Sequence, residues 1–259
     1  MPSHAISFTT AITRIPALSA TDGLRAHDIG NPNMMKMLAQ HRDYLLALKQ
    51  AGVVVVELPP LEAFPDAQFV EDTALCLPGL AIMMHPGAET RRGEVQPMRE
   101  ALSLIFDEIV DITEGFIEAG DILVTEREVL VGKSARTDDA GIASLKSILD
   151  AHGYHLRVVQ TPPDVLHFKT DCGIVGDNAV VSTHRLANSG CFDGYDVHLI
   201  PEGEEPAANM IRVNDHVIMP EGFPKTQAML AEAGYQTLTV GNSECAKIDG
   251  GMSCLSLRI

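Results

Sequence analysis

Basic side chains are scarce in this sequence. Its 259 residues include 19 lysines and arginines against 35 aspartates and glutamates, which gives a formal net charge of −16. Nucleic acids and anionic membranes present phosphate groups and are bound through clustered positive charge, so we expect neither as a partner. The acidic surface would attract a small cation, although surface charge of this kind commonly serves only solubility.

Long apolar runs are also missing. No stretch approaches the roughly 20 residues that a membrane-spanning helix requires. The first residues, MPSHAISFTTAITRIP, lack both the charged and the continuous apolar region of a secretion signal. These absences predict a cytoplasmic protein without membrane association.

Cysteines are few and never form a CxxC pair. Their odd number in a long chain argues against a disulfide framework, and their spacing argues against a zinc site. We expect at most one of them to be reactive. The five are Cys76, Cys172, Cys191, Cys245 and Cys254.

What the chain does contain is a repeat. Three segments have the pattern of an apolar helix, a glycine and a β-branched strand: LLALKQAGVVVVELPP, LKSILDAHGYHLRVVQTPP and AMLAEAGYQTLTVGN. Gly52, Gly153 and Gly234 stand where each helical pattern stops, and glycine suits the left-handed conformation that ends a helix.

Four hairpins alternate with the helical segments: VEDTALCLPGLAIMM, EAGDILVTEREVLVG, KTDCGIVGDNAVVST and AANMIRVNDHVIMP. Each opens with small or acidic residues and contains a short sequence suited to a hairpin turn. Together with the C-terminal DGGMSCLSLRI they mark about five copies of a unit made of hairpin, helix and strand.

The fifth copy is one strand short, and AISFTTAITRIP at the N-terminus can supply that strand. Pairing the first strand with the last would close a ring and remove exposed sheet edges. The sequence therefore predicts an α/β fold with one domain over residues 1–259. We expect a five-bladed, pseudo-symmetric propeller of ββαβ repeats around a central pocket.

In such a ring the equivalent ends of all blades face the axis, so the hairpin openings should converge. Taken singly, carboxylates in turns are commonest as local hydrogen-bond acceptors, and a lone histidine or cysteine is commonly a core residue. Recurrence at the same phase of a repeat favours a shared site instead. The residues at the openings are Asp66, Glu71, Asp72, Glu118, Asp121, His167, Asp171, Asn209 and Cys254.

Seven stretches of the chain resemble the dimethylarginine dimethylaminohydrolase family, of the guanidine-modifying or amidinotransferase superfamily. They keep the family's order from about Leu24 to the last residue and so cover almost the whole chain. The stretches are FPDAQFVEDTA, HPGAETRRGE, EAGDI, GKSART, VLHFKT, VIMPEGFPKT and KIDGGMSCLSLR. The resemblance implies a five-bladed α/β propeller that hydrolyses dimethylarginine or monomethylarginine to citrulline and an amine, with no cofactor and no metal.

Three catalytic roles follow from the resemblance. Cys254 matches the nucleophile that attacks the guanidinium carbon and forms a covalent S-alkylthiouronium adduct. His167 matches the general acid and base that protonates the departing amine and then activates water. Glu118 matches the carboxylate that orients His167 and contacts the guanidinium.

The resemblance also implies that Glu71 and Asp72 hold the guanidinium and that the backbone of Ile248 contacts the substrate beside the nucleophile. Elementary chemistry agrees, because carboxylates bind a planar guanidinium through paired, charge-assisted hydrogen bonds. Attack needs a thiolate, which a free cysteine with a pKa of about 8.5 supplies poorly at neutral pH. We therefore expect the cationic substrate and a protonated His167 to favour ionisation of Cys254.

The remaining matches concern the amino-acid end of the substrate, a small cation. Asp66 and the backbone of Leu24 match contacts to the α-amine, and Arg91 and Arg136 match a clamp on the α-carboxylate. An agmatine deiminase would leave these arginines without a purpose, since agmatine has no carboxylate. An arginine deiminase acting on free arginine stays open, although those enzymes carry a helical insertion for which this chain has no room. Analogy with relatives also leads us to expect a homodimer.

Two interpretations outside this chemistry stay open. A catalytically silent guanidinium-binding protein would not need Cys254 and His167 together. A structural zinc site normally takes four ligands, often in local pairs, and the constellation holds one cysteine.

Overall fold

Five three-stranded sheets follow one another along the chain in the computed structural model, which describes residues 4–259. The strands are β1 (Thr10–Arg14), β2 (Val54–Leu58), β3 (Ala74–Leu77), β4 (Leu80–Met83), β5 (Glu108–Asp111), β6 (Ile122–Val124), β7 (Val129–Lys133), β8 (Leu156–Gln160), β9 (Cys172–Gly176), β10 (Ala179–Ser182), β11 (Asp196–Leu199), β12 (Ile211–Val213), β13 (His216–Pro220), β14 (Gln236–Val240) and β15 (Leu257–Arg258). The sheets have the orders β15-β1-β2, β3-β4-β5, β6-β7-β8, β9-β10-β11 and β12-β13-β14. In each, the central strand pairs antiparallel with one neighbour and parallel with the other.

The two ends of the chain share one sheet, as the sequence predicts. In β1, Ala11 lies opposite Arg258 and Ile12 opposite Leu257. The carbonyl of Ile259 also accepts hydrogen bonds from the amides of Thr9 and Thr10. This pairing anchors the C-terminal strand and confirms the predicted propeller of five pseudo-symmetric blades.

One helix connects the parallel pair in every sheet, because parallel strands need a crossover. The helices are α1 (Met34–Gln50), α2 (Val95–Leu102), α3 (Asp139–Ala151), α4 (His184–Ala187) and α5 (Pro224–Glu232). Gly52, Gly153 and Gly234 follow α1, α3 and α5 with φ of +90°, +78° and +87°, so the predicted left-handed helix ends are confirmed.

The apolar core lies between the helices and their sheets. Helix α1 buries Met37, Tyr44 and Leu48 completely, and the ring of Tyr44 reaches the C-terminal segment. Its hydroxyl donates to the carbonyl of Met252 over 3.0 Å and lies 2.7 Å from the hydroxyl of Ser256. Helix α1 therefore packs directly behind the predicted nucleophile, within the same blade.

A short 3-10 turn precedes the first strand of every sheet. These axial turns are Val70–Thr73, Ala119–Asp121, Phe168–Thr170, Glu205–Ala208 and Ser253–Leu255. The first four contact one another in chain order, and the last contacts the first. The hairpin openings therefore converge on the axis, as predicted.

None of the helices within residues 4–259 has the length and apolarity that crossing a membrane would take.

Candidate active site

The axial turns surround a cleft of about 360 Å³. Most of the predicted site residues line it, namely Leu24, Asp66, Asp72, Arg91, Arg136, His167, Ile248 and Cys254. Phe69, Leu166 and Asp249 complete its wall. Glu118 is fully buried and bonded to His167, while Glu71 faces a second cavity described below.

Glu118 and His167 form a buried ion pair in which Nε2 of the imidazole lies 2.7 Å from Oε2 of the carboxylate. Each residue immediately precedes an axial turn, so the turns set the direction of both side chains. The other oxygen of Glu118 accepts from the amide of Ala88 and from Nη1 of Arg136. Glu118 is therefore held by three groups from three parts of the chain.

The pair is charged in the free protein. Burial raises the pKa of Glu118, but the hydrogen bond and charge of His167 outweigh it and bring the pKa to about 2. Burial likewise lowers the pKa of His167, but the charge of Asp72 and the bond to Glu118 raise it to about 9. The contribution of His167 to stability is therefore full below pH 6.5 and is lost as the pH rises through about 9. The contribution of Glu118 to stability is present above pH 4.5 and is lost as the pH falls through about 2.

Asp72 lies beside this pair. Its Oδ1 accepts from the amide of Gly120 at 2.9 Å, and its Oδ2 contacts Nη1 of Arg91 at 2.5 Å. A Cβ at Gly120 would lie 2.7 Å from Oδ1 of Asp72 and 2.8 Å from Nδ1 of His167. The glycine therefore permits the carboxylate and the imidazole to approach the same backbone.

The two predicted clamp arginines differ in their surroundings. Arg91 is buried and bonds to Glu94 and Asp72 and to the carbonyl of Phe69, and these carboxylates hold its pKa above the ordinary value despite burial. The side chain of Arg136 is 21% exposed and contacts Glu118 at 3.3 Å. Arg136 can therefore turn toward a ligand at less cost than Arg91.

Asp66 and Leu24 are in direct contact. Oδ1 of Asp66 accepts from the amide of Leu24 over 3.0 Å, and burial raises the pKa of Asp66. Two residues further on, the amide of Ala26 donates to Oδ2 of Asp249 over 2.6 Å. Asp249 has a φ of +59° and directly follows Ile248. These contacts hold the segment around Leu24 against the turn that carries Ile248.

The thiol of Cys254 is 8% exposed at the base of the cleft. Burial raises the pKa of the thiol to about 12, and the charges of Asp72 and Glu71 act in the same direction. The amide of Gly251 acts in the opposite direction. The free protein therefore holds a protonated thiol. An arriving cation supplies the charge that would stabilise a thiolate here.

Glu71 lines the second cavity, of about 730 Å³, together with residues from the first strand of every sheet. Its Oε1 accepts from Nζ of Lys169 at 2.6 Å and from Nη2 of Arg258 at 2.8 Å. Sequence reasoning missed both cations. Their positions in the repeat could have indicated them, because Lys169 lies in an axial turn and Arg258 lies in the strand that follows one.

Two of the residues at the openings serve the scaffold. Asp171 binds Arg185 through both carboxylate oxygens and accepts from the hydroxyl of Thr183, so the expectation that it joins the site is wrong. Asp121 accepts from the hydroxyls of Ser134 and Thr137. Asp171 ties its axial turn to its own blade, whereas Asp121 also accepts from the amide of Phe168 and so connects two neighbouring axial turns.

Asp72, Glu118 and His167 each offer one atom that could bind a metal, and these atoms lie within 4.8 Å of one another. A cation there would have to displace the proton from His167, whose pKa is about 9, and compete with Arg91 for Asp72. The donor set thus fits a positively charged organic group better than a metal ion.

Comparison with known proteins gives close relatives. No family model matches the chain. It is 41% identical to the N(G),N(G)-dimethylarginine dimethylaminohydrolase of Pseudomonas aeruginosa over 97% of this chain and 99% of the relative. The enzyme of that name from Streptomyces coelicolor is 29% identical, over 96% of each chain.

Solved structures agree with the sequence comparison. A cysteine-to-serine variant of the Pseudomonas aeruginosa enzyme complexed with citrulline superposes with a TM-score of 0.95 at 40% identity, covering 98% of this chain and 100% of the other. A histidine-to-glycine dimethylarginine dimethylaminohydrolase, as its adduct with S-methyl-L-thiocitrulline, gives 0.95 at 40% identity over 97% and 100%. The N-terminal domain of ArgZ, a cyanobacterial arginine dihydrolase, shares the fold at a TM-score of 0.87, 18% identity and 96% of each chain.

The charged state of His167 is open to a direct test. We expect Glu118→Gln to lower the pKa of His167 from about 9 toward 6.5, because a neutral amide removes one of the charges that, with Asp72, hold the proton. Histidine-labelled protein followed by NMR over a pH series measures it. Glu62→Gln, at an exposed carboxylate that binds the amides of Leu18 and Ser19, is the control. An unchanged pKa in Glu118→Gln would contradict the ion pair.

Proposed function

The chain belongs to the dimethylarginine dimethylaminohydrolase family, and from this membership we propose that it hydrolyses Nω,Nω-dimethyl-L-arginine and Nω-methyl-L-arginine to L-citrulline and dimethylamine or methylamine. The observation that carries the proposal is the buried Glu118–His167 ion pair in the same cleft as the thiol of Cys254. We further propose that residues 1–259 act as one catalytic domain, because every blade contributes a turn to the axis. The homodimer and the cytoplasmic location stay predictions.

The guanidinium would enter a cleft whose carboxylates are buried. Asp72 and Glu118 present oxygens near the thiol, and charge-assisted hydrogen bonds to a planar cation would fix its orientation. Glu71 would act on the cation from the side of the second cavity. Lys169 and Arg258 bond to its Oε1, while its Oε2 has no hydrogen-bond partner among the described residues. Together these groups support binding of a cation.

The proposed reaction has two halves. In the first, the bound cation lets the thiol of Cys254 lose its proton to solvent, the sulfur bonds to the guanidinium carbon, and the C–N bond to the methylated nitrogen breaks as His167 donates a proton to the departing amine. Departure as a neutral amine avoids an amide anion. In the second, the now neutral His167 takes a proton from water, the oxygen bonds to the same carbon, and the C–S bond breaks to give citrulline and free Cys254.

The clamp on the amino-acid end is the second part of the proposal. Asp66, with the backbone carbonyl of Leu24, would bind the α-amine, and Arg136 would bind the α-carboxylate with Arg91. The partial exposure and single ion pair of Arg136 suit a ligand contact, whereas Arg91 already bonds to Asp72 and Glu94. We therefore assign Arg136 the larger part of carboxylate binding.

The activity is tested by incubating the protein separately with asymmetric dimethylarginine, monomethylarginine, arginine and agmatine and measuring citrulline or the carbamoyl product. We expect product from the two methylated arginines. Cys254→Ser and His167→Gly should abolish it, since one lacks the nucleophile and the other the proton donor. Cys76→Ser, at another partly buried cysteine, should keep it. Citrulline from arginine alone would establish the deiminase alternative instead.

The carboxylate clamp predicts a selective loss of binding. Arg136→Ala should raise KM for dimethylarginine roughly 10- to 100-fold, the size of one lost hydrogen-bonded charge pair. Inhibition by agmatine, which has no carboxylate, should stay unchanged. Arg92→Ala removes a neighbouring arginine that stacks on Phe116 and serves as the control. Equal weakening of both ligands would show that Arg136 acts on the guanidinium end.

Thiol ionisation should depend on a bound cation. The thiolate absorbance at 240 nm, measured against Cys254→Ser, should titrate well above neutral pH in the free protein, because burial and Asp72 raise the pKa to about 12. Methylguanidinium should lower the midpoint, whereas urea, its neutral analogue in shape, should not. A midpoint near pH 7 without any ligand would contradict substrate-assisted activation.

A further inference from the structure

The fourth blade contributes no carboxylate, base or nucleophile to the cleft. Its axial turn, Glu205–Ala208, ends at Asn209, whose side chain is buried and lies behind the turn of the fifth blade. We propose that Asn209 is a positioning residue that fixes the nucleophile turn, residues 250–254, so that the thiol of Cys254 faces the substrate. The proposal rests on the proposed function, because it takes Cys254 as the nucleophile.

Two contacts connect Asn209 to the nucleophile turn. Its Oδ1 accepts the amide hydrogen of Ser253, the residue before Cys254, over 2.9 Å. Its carboxamide also packs against Gly251, where an added Cβ would lie 2.2 Å from Cγ and Nδ2. The turn is therefore fixed on both sides of Met252, by a hydrogen bond at one end and by close packing at the other.

The hydrogen bond of Asn209 differs from the other side-chain bonds to this turn. Tyr44 donates to the carbonyl of Met252, Asn242 to that of Gly250 and Arg258 to that of Ser253. Asn209 instead accepts a buried amide, which no donor could replace. Loss of the acceptor would leave that amide unpaired one residue from the sulfur, so the turn would be expected to rearrange.

The packing against Gly251 bears on the sulfur itself. The amide of Gly251 lowers the pKa of the Cys254 thiol. It therefore opposes burial, which raises that pKa and keeps Cys254 protonated. The carboxamide of Asn209 leaves no room for a side chain at Gly251, so the backbone that carries this amide packs directly against Asn209. A shift of the turn would move both the sulfur and the donor that stabilises its anion.

Three variants separate the contacts. Asn209→Leu keeps the branched shape without an acceptor, Asn209→Ala removes both contacts, and Asn209→Asp keeps the acceptor and adds a negative charge. Leu230→Ala, in helix α5 of the same blade, is a stability control in an apolar cluster that includes no residue of the nucleophile turn. Each is measured for melting temperature, for kcat and KM with dimethylarginine, and for the pH dependence of Cys254 alkylation by iodoacetamide, read by mass spectrometry.

We expect Asn209→Leu and Asn209→Ala to lower kcat on the order of 100-fold with KM nearly unchanged, since a misplacement of about 1 Å has that effect on reacting groups. The alkylation profile of Cys254 should move to higher pH in both. Asn209→Asp should recover most of kcat at alkaline pH, with its profile displaced upward because the added carboxylate disfavours the thiolate. Leu230→Ala should lower the melting temperature and leave kcat and the profile unchanged.

The outcomes are decisive in either direction. Folded Asn209→Leu with full kcat, or Asn209→Asp as inactive as Asn209→Leu at every pH, overturns the proposal. If the leucine and alanine variants do not fold, Asn209→Asp alone decides through its alkaline recovery. A wild type that makes no citrulline contradicts the proposed function, while the alkylation profile still tests the role of Asn209.

Discussion

The interaction on which the site depends is the concentration of buried carboxylates at the axis of the ring. Asp66, Asp72, Glu94 and Glu118 lie around the cleft, and burial raises the pKa of Glu94 to about 7 in spite of its bonds to Arg91. Burial is the main cause of that elevation, and the charges of Asp66 and Asp72 add to it. A guanidinium would add positive charge among these acids. The acids would favour its binding, and its charge would favour the ionisation of the thiol.

The ring explains how residues far apart in sequence reach that axis. A short 3-10 turn ends the loop before the first strand of each blade, and each turn presents one or two side chains to the neighbouring turns. The turns of the first three hairpins supply the acids and the base, and the C-terminal turn supplies the thiol. Because β15 pairs with β1, a cysteine five residues from the end of the chain is held as firmly as one in an internal blade.

Sequence reasoning reached the architecture because its signals are local and repeated. The repeated units were indicated by the glycines after α1, α3 and α5 and by the spacing of the hairpins. The strand missing from the last unit indicated that the N-terminus supplies it. It could not determine side-chain direction inside a turn. Asp171 shares its position in the repeat with Asp72, yet it binds Arg185, which lies at the start of α4 in its own blade. Arg91 was likewise placed in the site without its bonds to Asp72 and Glu94, which depend on the packing of distant segments.

A thiol that stays protonated until a cation binds also bears on the chemical durability of the site. Oxidation by peroxide proceeds through the thiolate, so a buried cysteine with a pKa of about 12 is protected in the free protein. The same acids that delay ionisation would select against neutral and anionic ligands, which cannot supply the compensating charge. Protection, selectivity and activation therefore follow from one arrangement, in which Cys254 is placed among carboxylates rather than beside a permanent cation. Lys169 lowers the pKa of the thiol, but it is bonded to Glu71, whose charge raises that pKa, so the two charges oppose each other.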